Sequence, residues 1–126
     1  LNYLDDEELG SCLVSLEAEK SALGAMILSA TSANECKAIL KPEHFYRESH
    51  RLIFEAMLST ETPDQGFDLV LIFELLGSRL TDAGGKDYVL HLAEYCPSPG
   101  NAKHYAGLVI EAWQRRSVID GARQAA

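Results

Sequence analysis

Apolar side chains recur at helical spacing along most of this chain. Leu16, Leu23, Met26, Ile27 and Ala30 fall at i, i+7, i+10, i+11 and i+14, one face of a helix over Ser15–Leu28, SLEAEKSALGAMIL. Ser15 is suited to cap its start, with Glu17 and Glu19 in the first turn, where negative charge meets the helix dipole favourably. Gly24 costs about 1 kcal/mol relative to Ala in a helix interior, so its place there predicts a second helix in close approach. Asn34 is a candidate cap for a short second helix through Ala38–Leu40, and Pro42 fits a first helical turn. Ser49–Ser59 reads as a third helix, with Leu52, Ile53, Ala56 and Met57 on one side and Phe45 and Tyr46 as a bulky anchor before it.

Thr62–Gly66 is a loop by composition. Asp68 then caps Leu69–Leu76, an almost wholly apolar segment that should sit centrally as a helix; its Val, Ile and Phe content also admits a buried strand. Gly77–Gly85 is the next loop and Lys86–Tyr95 the next helix, ended by Pro97, Pro99 and Gly100. A last helix runs from about Ala102, with Tyr105, Leu108, Val109, Ala112 and Ile119 as its apolar stripe and Trp113 beside it. No segment alternates at period two over a useful length. The fold class predicted is all-α, a compact bundle of about six or seven short helices.

The chain has 126 residues, enough for one domain with one modest core. No apolar run reaches the ~20 residues that span a bilayer. The first fourteen residues carry Asp5, Asp6, Glu7 and Glu8, the opposite of a signal peptide's basic start, and read as an acidic arm on which Leu9, Leu13 and Val14 could still dock. A cytoplasmic protein is the expectation. Cys12, Cys36 and Cys96 are odd in number and widely spaced, which argues for free thiols rather than a disulfide framework or a zinc site.

The net charge of −8 argues against a stand-alone DNA-binding module. Charge is uneven: residues 101–126 carry four basic side chains against two acidic ones, so that end is +2 and residues 1–100 are −10. The chain lacks a GxxxxGK[ST] loop, a GxSxG and an HExxH. His44, His50, His91 and His104 are expected at helix ends and surfaces, and Arg47 and Arg51 in surface ion pairs with Glu48 and Glu55. No catalytic, metal or cofactor residues are predicted. Trp113, with Arg115 and Arg116, suits an interface anchor, because Trp and Arg are enriched at binding hot spots; a core Trp packed on the fourth helix is the other reading. The last helix reaches the final residue without a stop signal, which predicts a native chain that continues.

Five segments, in order, resemble the N-terminal domain of the bacterial DnaB-type replicative DNA helicase. Ser15–Gly24 matches the family's [SLI]-EAE-x-[SA]-[VL]-LG. Phe45-Tyr46 is followed by His50-Arg51 and Ile53-Phe54, and Phe67-Asp68-Leu69 matches an [IV]-D-[LP] helix start. Gly84-Gly85 with Tyr88-Val89 matches GG-x-x-Y-[LI]. Pro97-Ser98, Asn101, Tyr105-Ala106 and Val109-Ile110 complete the series. Lys86 departs from the family, where many members have an apolar or aromatic residue.

The resemblance implies a helical globule over 15–100, after the arm at 1–14, and the first arm of a truncated helical hairpin over 101–126. In that family the globules pair through their hairpins into a trimer-of-dimers collar on a hexameric motor, and bind the C-terminal domain of primase and in some systems a loader. It implies no catalysis or cofactor here; ATP and Mg would belong to the parent's motor. Tyr105, Val109, Trp113, Arg115, Arg116 and Ile119 are the interface candidates, with no direct DNA or membrane contact. The alternatives are a helical interaction domain of a primase, loader or phage replication regulator, and a small metal-dependent or thiol enzyme using the His and Cys residues.

Overall fold

Six α-helices and three 3-10 turns make up the architecture, and no strand occurs among the described residues. The computed structural model describes residues 6–125, with side chains over 15–119. The helices are α1 (Asp6–Leu28), α2 (Ala30–Ile39), α3 (Glu48–Leu58), α4 (Leu69–Leu76), α5 (Gly85–Tyr95) and α6 (Ala102–Ala125), with 3-10 turns at Pro42–His44, Gly77–Arg79 and Pro99–Asn101. The all-α expectation holds, although α1 and α6 are long, at 23 and 24 residues.

The centre of the bundle is α1. Ala18, Glu19, Ser21, Ala22, Leu23, Ala25, Met26 and Ile27 are all buried, and α2, α3, α5 and α6 pack around them. The single apolar face expected for this helix gives way to burial on every side, and its alanines leave room for that many neighbours. Ser15 is not its N-cap. The backbone is already helical from Asp6, and the Ser15 hydroxyl instead accepts a hydrogen bond from Arg116 at 3.3 Å. The side chains assigned to the acidic arm, including Leu9, Leu13 and Val14, lie outside the described residues.

Gly24 does what its cost implied. A Cβ there would stand 2.4 Å from the Leu92 carbonyl oxygen and 2.8 Å from the Cys96 Cβ, so the glycine sets how closely α5 crosses α1. One residue separates α1 from α2. Ser29, not Asn34, caps α2, its hydroxyl accepting from the Ser32 amide at 3.2 Å.

The Asp68 cap is as predicted, with its carboxylate 2.7 Å from the Leu71 amide nitrogen. The central position predicted for α4 is not. Only Ile72 and Leu76 of this short helix are buried, and Val70 is 65% exposed. With barely two turns, α4 covers α3 along one edge and leaves its other face open.

The first half of α6 belongs to the core. Ala102, Ala106, Val109 and Ala112 line its buried face, a phase shifted from the predicted stripe, with Tyr105 and Leu108 flanking it. Small residues win because α6 packs along the alanine-bearing α1. The boundary drawn at residue 100 therefore does not separate α6 from the globule.

Two glycine substitutions should move stability in opposite directions. Gly24→Ala raises helix propensity but drives a methyl into the α5 backbone, and should lower stability by about 1–3 kcal/mol. Gly107→Ala in α6 meets nothing within 4 Å, and should raise it by about 0.5–1 kcal/mol. Urea denaturation followed by circular dichroism measures both.

Candidate interaction site and the buried network behind it

A carboxylate sits in the middle of the core. Glu19 is 0% exposed, not a first-turn surface charge. Its Oε2 accepts the Tyr46 amide at 2.9 Å, and Oε1 accepts the Arg47 amide at 3.5 Å and the His50 Nδ1–H at 2.8 Å. With that proton on Nδ1, the His50 Nε2 accepts the Tyr88 hydroxyl at 2.6 Å, and the Arg47 guanidinium donates to the same hydroxyl at 3.3 Å. His50 is also 0% exposed, and its ring stacks on Tyr88 with centroids 5.9 Å apart.

Gly84 makes this reach possible. It has φ +105°, and a Cβ on it would stand 2.7 Å from the Tyr88 ring. Three of the sequence motifs thus meet in one chain of hydrogen bonds: Glu19 from EAE, His50 from the His-Arg pair, and Tyr88 from the segment after Gly84-Gly85.

The surface placement expected for the histidines fails for His44 as well. It is buried, its Nδ1 accepts the Lys41 amide at 3.0 Å, and its ring meets the Trp113 edge with centroids 4.7 Å apart. Burial pushes its pKa below the ordinary 6.5, with Lys41 acting in the same direction and Glu43 opposing. The ion pairs expected of Arg47 and Arg51 are absent too. Arg51 donates to the carbonyls of Phe45 and Tyr46 at 3.1 and 3.2 Å, and Glu55 pairs with Arg79 instead. Arg51 thus answers free carbonyls between the 3-10 turn and α3, and Arg47 answers the Tyr88 hydroxyl, rather than carboxylates.

The six interface candidates separate along α6. Val109 is fully buried and cannot meet a partner, a correction forced by its place against α1. Tyr105 is half-buried beside the core. Trp113 packs on His44, not on α4. Arg116 bridges to the body, its guanidinium donating to the Ser15 hydroxyl at 3.3 Å and the His44 carbonyl at 3.0 Å and lying 5.1 Å from the Tyr46 ring centroid.

The opposite face of this stretch is open to solvent. Arg115, Val118 and Ile119, with Glu111 and Gln114, line an open groove, and Val118 and Ile119 are 72% and 44% exposed. Sequence reasoning missed Val118; its adjacency to Ile119 on a charged stretch was the available signal.

Two thiols bear on the enzyme reading. Burial, foremost, pushes Cys36 up to about 12 and raises Cys96, which disfavours the thiolate of each. Among the described residues, no three His, Cys, Asp or Glu side chains gather to hold a metal ion. What the groove offers is exposed apolar side chains beside Glu111 and Arg115.

Residues 12–111 match the family model of the DnaB-like helicase N-terminal domain. The replicative DNA helicase DnaB of Geobacillus stearothermophilus is 38% identical over 107 residues, which are 83% of this chain and 24% of that protein. The DnaB of Treponema pallidum is 34% identical over 110 residues, 86% of this chain and 25% of that protein. The chain therefore spans about a quarter of the length of these relatives. The crystal structure of the N-terminal domain of DnaB helicase from Mycobacterium tuberculosis superposes with a TM-score of 0.80 at 31% identity, covering 86% of this chain and 80% of that one. A DnaB-like replicative helicase structure that describes its interactions with primase superposes at 0.73 with 30% identity, over 86% of this chain and 26% of that one.

Removing the buried carboxylate should be costly. Glu19→Ala strands the His50 ring and two amides, and should destabilise by about 3–5 kcal/mol. Tyr88→Phe removes one hydroxyl and should cost about 1 kcal/mol. Denaturant midpoints read both, and a double-mutant cycle with His50 should show coupling.

Acid should act through His44. Its folded pKa lies below 6.5, so between the two values the unfolded chain binds more protons and stability rises with pH. Its contribution is complete above about 6.5 and is lost as pH falls through the folded value. Thermal midpoints measured across that window should slope less in His44→Gln than in the parent chain.

Proposed function

The chain belongs to the DnaB-like helicase N-terminal domain family, and from that premise we propose that it is the assembly and docking part of a replicative DNA helicase. The observation that carries the reading is the end of α6. Clamped to the body by Trp113 and Arg116, this helix then presents Val118 and Ile119 to solvent. Exposed apolar side chains on a held helix are what a partner helix covers.

In this reading α6 is the first arm of a helical hairpin through which the domain pairs with copies of itself, and the pairs form a trimer-of-dimers collar within a hexamer. The domain carries no catalysis of its own. The parent chain unwinds duplex DNA at the replication fork, with ATP and Mg bound in its motor, and the domain binds the C-terminal domain of primase and in some systems a loader. It works in the cytoplasm and touches neither DNA nor membrane. Two observations support these assignments: the negative charge over residues 1–100, which opposes phosphate binding, and the interactions with primase described for the DnaB-like relative. No helix among the described residues is long and apolar enough to cross a membrane.

Calorimetric titration with the cognate primase C-terminal domain should show saturable heat, and none at high micromolar concentration would count heavily against the reading. The chain as it stands should sediment as a monomer or weak dimer. Replacing Val118 and Ile119 with Asp should abolish the dimer while leaving the melting temperature unchanged, since neither side chain is in the core.

A further inference from the structure

Three arginines lie on or beside one exposed tyrosine segment. Tyr46 is 55% exposed, and Arg116 lies against its ring with Cζ 5.1 Å from the centroid. Arg51 holds the Phe45 and Tyr46 carbonyls at 3.1 and 3.2 Å. Arg47, the next residue, is exposed and reaches the Tyr88 hydroxyl at 3.3 Å. Among the described residues, neither Arg47 nor Arg51 has a carboxylate within 4.0 Å, whereas Arg79 is paired with Glu55 at 3.3 Å. Carboxylates are not scarce in a chain with 19 of them. Glu43 and Glu48 flank this segment in sequence without reaching either guanidinium, and Glu19 beneath it is fully engaged by His50 and the two amides.

We infer that this Tyr46 face, with Arg47 and Arg51 as its charged contacts, docks an acidic segment of a partner protein. A guanidinium held by neutral acceptors keeps its charge and its remaining N–H donors for a carboxylate, which it meets in a planar, two-pronged geometry. Tyr and Arg together are the side chains most enriched where interfaces concentrate their energy. The arrangement is already in place, so little ordering is lost when a partner arrives. A short protein segment fits better than nucleic acid, because the two available guanidiniums of Arg47 and Arg51 can meet one or two carboxylates but cannot neutralise the run of phosphates from which nucleic-acid affinity comes. The surface adjoins α6 through Arg116, but its charged contacts are other residues than those of the Val118–Ile119 groove, and it does not depend on the assembly reading.

The test is fluorescence polarisation at low ionic strength with a labelled short peptide rich in Glu and Asp and carrying one aromatic residue. Its counterpart with Gln and Asn in place of the acids and a labelled oligothymidylate are run beside it. Saturable binding of the acidic peptide is expected, weaker by about tenfold or more for the neutral peptide and for the Arg47→Glu variant. Tyr46→Ala should also weaken it, and Arg79→Gln should leave it unchanged. Arg47→Gln, which keeps length and polarity at an exposed position, repeats the measurement should the charge reversal fail to fold. No saturation by the acidic peptide, equal binding by the neutral one, affinity indifferent to both Arg47 variants, or tighter binding of the oligothymidylate would each overturn the inference.

Discussion

The rest of the structure is arranged around one buried carboxylate. An unpaired carboxylate in a protein interior is among the most costly groups a fold can hold, and it persists only where donors surround it. Glu19 receives three: the amides of Tyr46 and Arg47 and the Nδ1–H of His50. Those donors lie on the connection into α3 and on α3 itself, so satisfying Glu19 fixes that connection against α1. His50 in turn needs an acceptor satisfied at Nε2, and Tyr88 brings α5 into the same arrangement. Gly24 and Gly84 serve this geometry, the first by letting α5 approach α1 and the second by clearing space for the Tyr88 ring.

Much of the element order was legible, because caps and breakers act locally. Asp68 capped α4, Gly84-Gly85 opened α5, and Pro97, Pro99 and Gly100 separated it from α6. What could not be read was the partner of each polar side chain. Glu19 looked like a first-turn charge because a helix N-terminus explains an acid without any distant partner. Its partner is 31 residues away, and the next link is 38 further on. The same locality misplaced α4, whose apolar content argued for the centre. Burial on all sides went instead to α1, where alanines and a glycine admit four neighbours. The motifs were recognisable as strings well before their reason was. Glu19, His50 and Tyr88 form one hydrogen-bonded unit, so a change at any one leaves the others unsatisfied.

The candidate site was half legible for a related reason. Trp113, Arg116 and Ile119 stood out by residue type, but type does not tell a clamp from a contact. Trp113 and Arg116 face inward to His44, Ser15 and Tyr46, and Val109 is core. The helix is therefore two things in series: an alanine-lined strut for its first three turns and an outward-facing segment beyond the clamp. A helix attached only by its apolar stripe could roll on α1, whereas a guanidinium fastened to two elements and stacked on Tyr46 resists rotation.

A Glu–His–Tyr chain invites comparison with catalytic relays, and its geometry argues for a different role. A general base needs a nitrogen lone pair directed at a substrate proton, within hydrogen-bond reach. Both nitrogens of His50 are already occupied, at 2.8 and 2.6 Å, by groups of the fold itself. The ring and Glu19 are each fully buried. Tyr88 is meanwhile held from outside by Arg47. The hydrogen bonds of Glu19, His50 and Tyr88 join α1, α3 and α5. The network thus ties α1, α3 and α5 to one another through side chains rather than leaving them joined by apolar packing alone.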